Sequence, residues 1–205
     1  MKTVILGIGT TSIVVSDIIT ESHNFTIAGF VGTEAENERF EQNKIVNLYP
    51  FLGDYSILGK LKKHNINRFV VAIGDNVVRE TLFYKALQHG LSPINAISKN
   101  AIIHSSVNIG VGVVISPGTI LSHGVEISDN TLLDPSVVVD VNSTIGSHSY
   151  CYPGVTICGG CTIEKNVTLR ANCIIEPGIT VGKNQVIGAG TVVSKNVEGL
   201  FREDN

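Results

Sequence analysis

The sequence predicts a small α/β domain followed by a parallel β-helix, and two patterns carry this prediction. From Ile97 to Val193, seventeen consecutive six-residue blocks open on Ile, Leu or Val, with Cys151 as the single exception. Before this stretch, apolar runs of strand length alternate with runs of helical spacing. A strict period of six is typical of a β-helix, and alternating strands and helices are typical of an α/β sheet. A β-sandwich, the alternative, would not keep phase over so many blocks.

Composition narrows the function classes. The chain has 205 residues, a net charge of −3 and 43% hydrophobic residues. A nucleic-acid-binding protein normally shows a basic face, so this class is disfavoured. No apolar run has the length of a membrane span, and the N-terminal MKTVILGIGTTSIVV contains glycines and lacks a signal-peptide cleavage site. We therefore expect a cytoplasmic protein with neither a membrane nor a nucleic-acid partner.

The first domain is predicted to contain three strands and three helices, and residues 33–50 are predicted to be irregular. The strands are 2–6, 26–32 and 68–74, and the helices are 13–20, 55–66 and 77–90. We place the domain boundary near residue 95, so that residues 1–95 form the α/β domain and residues 96–205 form the β-helix.

Two turns of the first domain follow strands, at the carboxyl edge where open α/β sheets bind ligands. They are Gly7, Gly9 and Thr10 after the first strand, and Gly74, Asp75 and Asn76 after the third. A glycine-rich turn that opens a helix can receive phosphate. However, the third glycine of GxGxxG is Ser12, so a tight turn without a ligand is the alternative. The first carboxylate after the second strand is Glu34, which does not support NAD binding.

In the β-helix, each block is predicted to supply one strand and one corner, and three blocks complete a triangular coil. The first and fifth residues point inward, and coils stack at about 4.8 Å. The fourth residue is mostly Gly or Asn, which adopt positive φ at low cost. His148 occupies this position and is predicted to be a corner residue. The weakly charged faces suit self-association.

The CGGC sequence at Cys158 and Cys161 is similar to a redox or zinc motif. The repeat explains it better, because Cys161 falls on an inward fifth position. A second CxxC that would complete a zinc site is missing from the sequence. We therefore predict structural cysteines and no metal.

The order of these features resembles one family. A βαβ domain with a GIG turn near residue 7 and an AIGDN turn near residue 74, followed directly by hexapeptide repeats, is similar to the NeuD-like sialic-acid O-acetyltransferases. This family includes UDP-amino-sugar N-acetyltransferases of surface-glycan pathways, and the resemblance covers nearly the whole chain. It implies a left-handed β-helix, a homotrimer, a nucleotide sugar on the α/β domain, and acetyl-CoA in the groove between neighbouring β-helices.

The resemblance also implies binding residues. It assigns the two turns of the first domain to the nucleotide sugar, and Arg79 matches an arginine common just after the second turn. Corners at Gly159, Gly188 and Gly190 match positions where CoA approaches the backbone. Apart from the resemblance, Lys165 and Lys183 stack one coil apart and could meet CoA phosphates; solvated corners are the alternative.

The family's catalytic pair, a His followed by Glu or Asp, does not carry over. Val141 and Asn142 stand at these positions, and neither side chain takes a proton at neutral pH. Tyr150 stands where the family has a second His, and the family's C-terminal GxPAK-type sequence is absent. His123, one coil earlier on the same edge, is the best remaining base, with Asp140 as a second candidate. An exposed corner imidazole and a solvated carboxylate are the alternatives.

We therefore predict an acetyl-CoA-dependent acyltransferase that acts on a nucleotide-linked amino sugar or a sialic-acid-like sugar. N-acylation is favoured because a neutral amine needs less base assistance than a hydroxyl. The alternative, favoured by Val141, is a catalytically silent sugar-nucleotide binder or scaffold. A serine-acetyltransferase-like enzyme fits poorly because the first domain is α/β.

Overall fold

The computed structural model describes residues 1–42 and 49–200. Its contacts divide the chain into a first unit that ends at Lys99 and a second unit that begins at Asn100. Within these described ranges, no helix has the length and apolar character needed to cross a membrane.

The first unit is built on a five-stranded parallel sheet with the order β3-β2-β1-β4-β5. Its strands are β1 (Lys2–Leu6), β2 (Thr26–Val31), β3 (Phe51–Gly53), β4 (Ile66–Val71) and β5 (Ser92–Pro93), and a further short strand β6 (Ala96–Ile97) follows. Its helices are α1 (Thr10–Ser22), α2 (Glu34–Gln42), α3 (Asn76–Gln88) and a 3-10 helix (Tyr55–His64). The strand order reverses between β1 and β4, the place where sheets of this type bind ligands.

The core of the first unit lies against β1 and β4, the central strands of the sheet. Val4, Leu6, Phe69 and Val71 are fully buried, as expected for parallel strands whose faces are covered by helices. Phe83 of α3 packs edge-on against Phe69, with ring centroids 5.6 Å apart. β1 pairs directly with β4, with Leu6 opposite Val71, so the carboxyl ends of the two strands lie next to each other.

The prediction that residues 33–50 are irregular is wrong for residues 34–42, which form α2. The helix begins with a capping box: Thr33 Oγ1 accepts the Glu36 N–H at 3.2 Å, and Glu36 Oε2 accepts the Thr33 N–H at 2.7 Å. The rest of that predicted stretch includes residues 43–48, which lie outside the described residues. Strands β3 and β5 were not predicted because two or three residues carry no visible alternation.

The second unit is a left-handed parallel β-helix, which confirms the predicted fold class. Its two-residue strands form three parallel sheets, here called the first, second and third faces. The first face contains Ile102–Ile103, Ile120–Leu121, Val138–Val139, Thr156–Ile157, Ile174–Ile175 and Val192–Val193. The second face contains Asn108–Ile109, Glu126–Ile127, Thr144–Ile145, Thr162–Ile163 and Thr180–Val181. The third face contains Val114–Ile115, Leu132–Leu133, Tyr150–Cys151, Thr168–Leu169 and Val186–Ile187.

The burial and the backbone conformation of each residue follow its position in the six-residue block, as predicted. Every block opener from Ile115 to Val193 is buried, and so is every fifth residue from Val113 to Cys173. Every fourth residue from Gly112 to Gly190 has positive φ. His148 is one of these corners, with φ +61 and a contact of 2.8 Å between its Nδ1 and Asn130 Nδ2.

Candidate active site

The two predicted ligand turns of the first unit lie side by side. Gly7 has φ +114, and a Cβ there would come within 2.6 Å of Ile73 Cγ1 and 2.7 Å of the Ala72 carbonyl oxygen. Only glycine allows both this backbone conformation and this approach. The structure thus brings the turns after β1 and β4 together where the strand order reverses.

Gly9 and Thr10 form the amino end of α1. Ser12, at the third-glycine position of the motif, is fully buried, and its hydroxyl donates to the Gly9 carbonyl at 2.7 Å and accepts the Gly9 N–H at 3.1 Å. The buried Ser12 side chain thus stabilises the turn, and Thr10 and Thr11 are the first residues of the helix. The dipole of the helix favours a negative charge at this end.

Gly74, Asp75 and Asn76 form the turn that leads into α3. Asp75 caps this helix, because its Oδ1 accepts the N–H groups of Val77 and Val78, both at 2.9 Å. Any contact between Asp75 and a substrate must therefore leave these two hydrogen bonds of Oδ1 in place.

The Arg79 side chain stabilises this second turn by hydrogen bonds. The side chain is fully buried; Nη1 donates to the carbonyls of Ile73 at 2.9 Å and Gly74 at 3.2 Å, and Nη2 donates to Asn76 Oδ1 at 2.7 Å. One planar guanidinium serves three acceptors. The arginine thus fixes the shape of the turn, a role that the sequence pattern did not reveal.

The corners of the β-helix form three edges. Along the chain, each corner of the first edge directly follows a strand of the first face, and the second and third edges follow the second and third faces in the same way. The first edge comprises residues 104–106, 122–124, 140–142, 158–160 and 176–178. The second edge comprises residues 110–112, 128–130, 146–148, 164–166 and 182–184. The third edge comprises residues 116–118, 134–136, 152–154, 170–172 and 188–190.

The residues predicted to bind acetyl-CoA are spread over all three edges. Gly159 lies on the first edge, Lys165 and Lys183 lie on the second, and Gly188 and Gly190 lie on the third. A groove along one edge of a single β-helix therefore does not contain all five.

The last described residues pass over the corner of Lys183. Val197 forms a parallel bridge with Val181, and the Leu200 N–H donates to the Lys183 carbonyl at 2.9 Å. The backbone of this corner is thus covered by the chain itself, which favours Lys165 over Lys183 as a contact for a ligand.

Both predicted catalytic residues, His123 and Asp140, lie on the first edge. Two further residues of this edge, His104 and Ser106, contact His123. Ser106 Oγ lies 3.1 Å from His123 Nδ1 and 2.9 Å from His104 Nδ1. The two imidazole rings meet edge to face, with centroids 4.9 Å apart. His104 is not among the residues predicted from the sequence, although adding one coil of eighteen residues places it beside Ser122, the neighbour of His123. We call His104, Ser106 and His123 the imidazole cluster.

Val141 and Asp140 lie on the coil that follows the imidazole cluster. The Asn142 N–H donates to the His123 carbonyl at 2.9 Å, so the two corners stack directly. Asp140 is exposed, and a Cβ on Gly159 would lie 3.6 Å from its Oδ2. The Asp140 carboxylate therefore faces the following coil, which contains Gly159, whereas His123 lies on the preceding coil.

Tyr150, at the position of the second family histidine, belongs to the third face and not to the first edge. Its hydroxyl donates to Asp134 Oδ2 at 2.7 Å, and its ring lies 4.2 Å from that of Tyr152. Burial raises the pKa of Asp134, and the Tyr150 hydrogen bond opposes this shift. Within one chain, the structure does not bring Tyr150 to His123.

The CGGC cysteines follow the repeat. Cys161 points inward, its Sγ lies 3.1 Å from the Glu176 carbonyl oxygen, and burial raises the pKa of its thiol. Cys158 is half-buried on the first edge. In the described part of the chain, no group of three or more His, Cys, Asp or Glu residues is placed to hold a metal ion.

Both units match known family models. Residues 2–86 match the PglD N-terminal domain, and residues 136–171 and 162–195 match the hexapeptide repeat of succinyl-transferase. No curated protein matches the chain.

Solved structures are similar to nearly the whole chain. PerB from Caulobacter crescentus, in complex with CoA and GDP-perosamine, is 29% identical with a TM-score of 0.89, covering 98% of this chain and 92% of PerB. A histidine-to-alanine mutant of GDP-perosamine N-acetyl transferase from the same organism, with the same two ligands, is 28% identical with a TM-score of 0.87, covering 97% of this chain and 91% of that one. The acetyltransferase domain of PglB from Neisseria gonorrhoeae, with acetyl coenzyme A, is 21% identical with a TM-score of 0.85, covering 96% of this chain and 92% of that one, and shows the fold alone.

These similarities agree with the geometry. A PglD-type domain, in which the two turns predicted to bind a ligand meet at the reversal of strand order, is followed by hexapeptide repeats that form a β-helix. Over both units, the chain is therefore similar to the NeuD/PglD-like hexapeptide-repeat acyltransferases.

Proposed function

We propose that the protein transfers an acetyl group from acetyl-CoA to the amino group of a nucleotide-linked sugar. The observation that carries this proposal is the pairing, in one chain, of two adjacent ligand turns with a β-helix. PerB, whose structure contains CoA and GDP-perosamine, is similar over both parts. The nucleotide diphosphate would be held by Gly7, Gly9 and Thr10, and the rest of the nucleotide by Gly74 to Asn76.

A homotrimer is the assembly that we propose, and the first face supports it. Its outward residues form an almost entirely apolar stripe in which the isoleucine at the start is 66% exposed. The stripe consists of Ile102, Ile120, Val138, Thr156, Ile174 and Val192. A second copy packed on this stripe would remove it from water.

The first edge directly follows the first face along the chain, so this packing would bring the edge to the boundary between two copies. A groove between neighbouring β-helices could then combine corners from different edges, such as Gly159 of one copy with Lys165 of another. This arrangement reconciles the separated CoA-binding residues with one acetyl-CoA site.

The reaction itself needs a base. The acceptor nitrogen attacks the thioester carbonyl, the C–N bond forms, the C–S bond breaks, and the nitrogen loses a proton. His123 is the group that we assign to this proton. We further propose that the reaction takes place in the cytoplasm and supplies an acylated sugar for a bacterial surface glycan, as in the family that the chain resembles.

Calorimetric titration with acetyl-CoA tests the proposal. We expect micromolar binding of one molecule per subunit, and the same affinity for the His123→Ala variant, since the imidazole acts on the acceptor. Thiol release would then be measured with GDP-perosamine and with UDP-linked amino sugars. A folded protein, as judged by circular dichroism, that binds no acetyl-CoA would contradict the transferase.

A scaffold that binds a sugar nucleotide without turnover is the second candidate function, because Val141 occupies the family's histidine position. Restoring the family pair distinguishes the two. Asn142 has φ +55 and packs against Gly124, so its replacement should be Asp, which tolerates this conformation better than Glu.

For an enzyme that uses His123, the double change Val141→His and Asn142→Asp should alter kcat for thiol release by less than about tenfold, because a base is already present. Val141→Ala is the control for a change of packing at the corner. A wild-type protein without thiol release, together with a double variant that has it, would favour the scaffold.

A further inference from the structure

We infer that His104 and Ser106 form a hydrogen-bonded relay that sets the tautomer of His123 and leaves its Nε2 free to act as the base. The role as a base assumes the proposed acyl transfer, whereas the tautomer depends on the hydrogen bonds of the imidazole cluster alone. His104 and Ser106 are thus positioning residues, and His123 is the residue that touches the acceptor.

The relay begins at His104. Its Nδ1 accepts the backbone N–H of Ser106 at 3.2 Å. A ring nitrogen that accepts an N–H carries no proton of its own, so a neutral His104 has its proton on Nε2. The 2.9 Å contact between the same Nδ1 and Ser106 Oγ is then a hydrogen bond only if the hydroxyl donates.

The hydrogen bonds of the Ser106 hydroxyl determine which ring nitrogen of His123 is protonated. A hydroxyl has one proton and two lone pairs, and the proton is directed to His104. One lone pair accepts the Gly124 N–H at 2.9 Å. The remaining contact, 3.1 Å to His123 Nδ1, must therefore be a bond in which His123 donates.

His123 consequently has its proton on Nδ1 and its lone pair on Nε2, the ring atom far from the backbone. Because the side chain is exposed, this lone pair can reach a bound acceptor. As the C–N bond forms, Nε2 takes the proton of the nitrogen, and it then gives this proton to the departing CoA thiolate. Throughout, the Nδ1–H stays bonded to Ser106, as an orienting group holds the imidazole in a Ser-His-Asp triad.

The relay also accounts for the loss of the family pair. Val141 stands one coil after His123, about 4.8 Å away in rise. The base has moved by one coil toward the amino end of the β-helix, together with its own orienting group. The acceptor atom must therefore lie closer to the coil of His123 than to that of Val141.

The tautomer can be measured without any substrate. Long-range ¹H–¹⁵N NMR of ¹⁵N-histidine-labelled protein, at a pH at which both rings are neutral, should show His123 protonated on Nδ1 and His104 protonated on Nε2. In His104→Ala the hydroxyl of Ser106 is free to donate to His123, so the proton of His123 should move to Nε2. Ser106→Thr keeps the hydroxyl and should retain the wild-type tautomers.

Ser105→Ala, at the exposed neighbouring position, is the matched control and should change neither ring. His123 protonated on Nε2 in the wild type, or a tautomer that His104→Ala leaves unchanged, would overturn the relay.

Kinetics connect the relay to the reaction. The substrates are acetyl-CoA and GDP-perosamine, or a UDP-amino sugar that gives thiol release. Ser106→Ala should lower kcat roughly 10- to 100-fold, a loss like that seen when the orienting partner of a metal-bound imidazole is removed. The KM for acetyl-CoA should be unchanged, and Ser106→Thr should restore most of the rate. The expected tautomers in a protein without acyl transfer would refute the proposed function and leave the relay intact. Full activity in Ser106→Ala would instead refute the relay as a catalytic device.

Discussion

The change from His123 to alanine is expected to lower kcat for acyl transfer by roughly 10²- to 10⁴-fold, the contribution typical of a general base. The side chain of His123 is exposed, and it contacts Ser106 and His104. The backbone bond between its carbonyl and the Asn142 N–H does not depend on the side chain. The fold and the affinity for acetyl-CoA should therefore survive, and rates of thiol release at saturating substrates measure the effect.

His64→Ala is the matched control for this experiment. It removes an exposed imidazole from the 3-10 helix of the first unit, and we expect it to leave kcat unchanged. A His123→Ala variant with the full wild-type rate would show that the proton goes elsewhere. Asp140 would then be the next residue to replace, since it is the other candidate on the first edge.

The change from Arg79 to leucine is expected to destabilise the first unit by about 3 kcal/mol or more. The buried guanidinium donates to the half-buried carbonyls of Ile73 and Gly74 and to the buried Asn76 Oδ1. A buried acceptor that loses its hydrogen bond costs about 1–3 kcal/mol. Because these bonds shape the turn from Ile73 to Asn76, binding of GDP or UDP should be lost as well. Urea unfolding and calorimetry measure the two effects.

Two further variants sharpen this prediction. Arg79→Lys keeps a positive charge but lacks the planar fork that reaches all three acceptors, so it should fall between the wild type and Arg79→Leu. Arg68→Leu removes a half-buried arginine from β4, and we expect it to change stability by no more than about 0.5 kcal/mol. An Arg79→Leu protein with the wild-type unfolding midpoint would contradict the role assigned to this side chain.

The β-helix was predictable because its rules repeat with every block. An inward opener, an inward fifth residue and a corner with positive φ each follow from a position in the hexad, and even His148 obeys this rule. The turns at Gly7 and Gly74 were predictable for a similar reason, since each follows a strand directly. By contrast, α2 was missed although Thr33 and Glu36 form a recognisable capping box.

The separation of the residues predicted to bind CoA could also have been derived from the sequence. Blocks eighteen residues apart share an edge, so the numbering alone places Gly159, Lys165 and Gly188 on different edges. This separation is compatible with the groove between neighbouring β-helices that the resemblance implies, because such a groove is lined by more than one chain.

By itself, the sequence determined the two-part architecture and the position of the two turns that follow β1 and β4, because both depend on the order and local spacing of residues. The absence of the usual base at Val141 is what the resemblance to the family implies. Only the tertiary structure decided what surrounds the functional side chains. The burial of Arg79 depends on backbone carbonyls that have no signature in the sequence. The convergence of His104 and His123 on one hydroxyl depends on side-chain directions across two stacked coils, which a repeat of inward apolar residues does not specify.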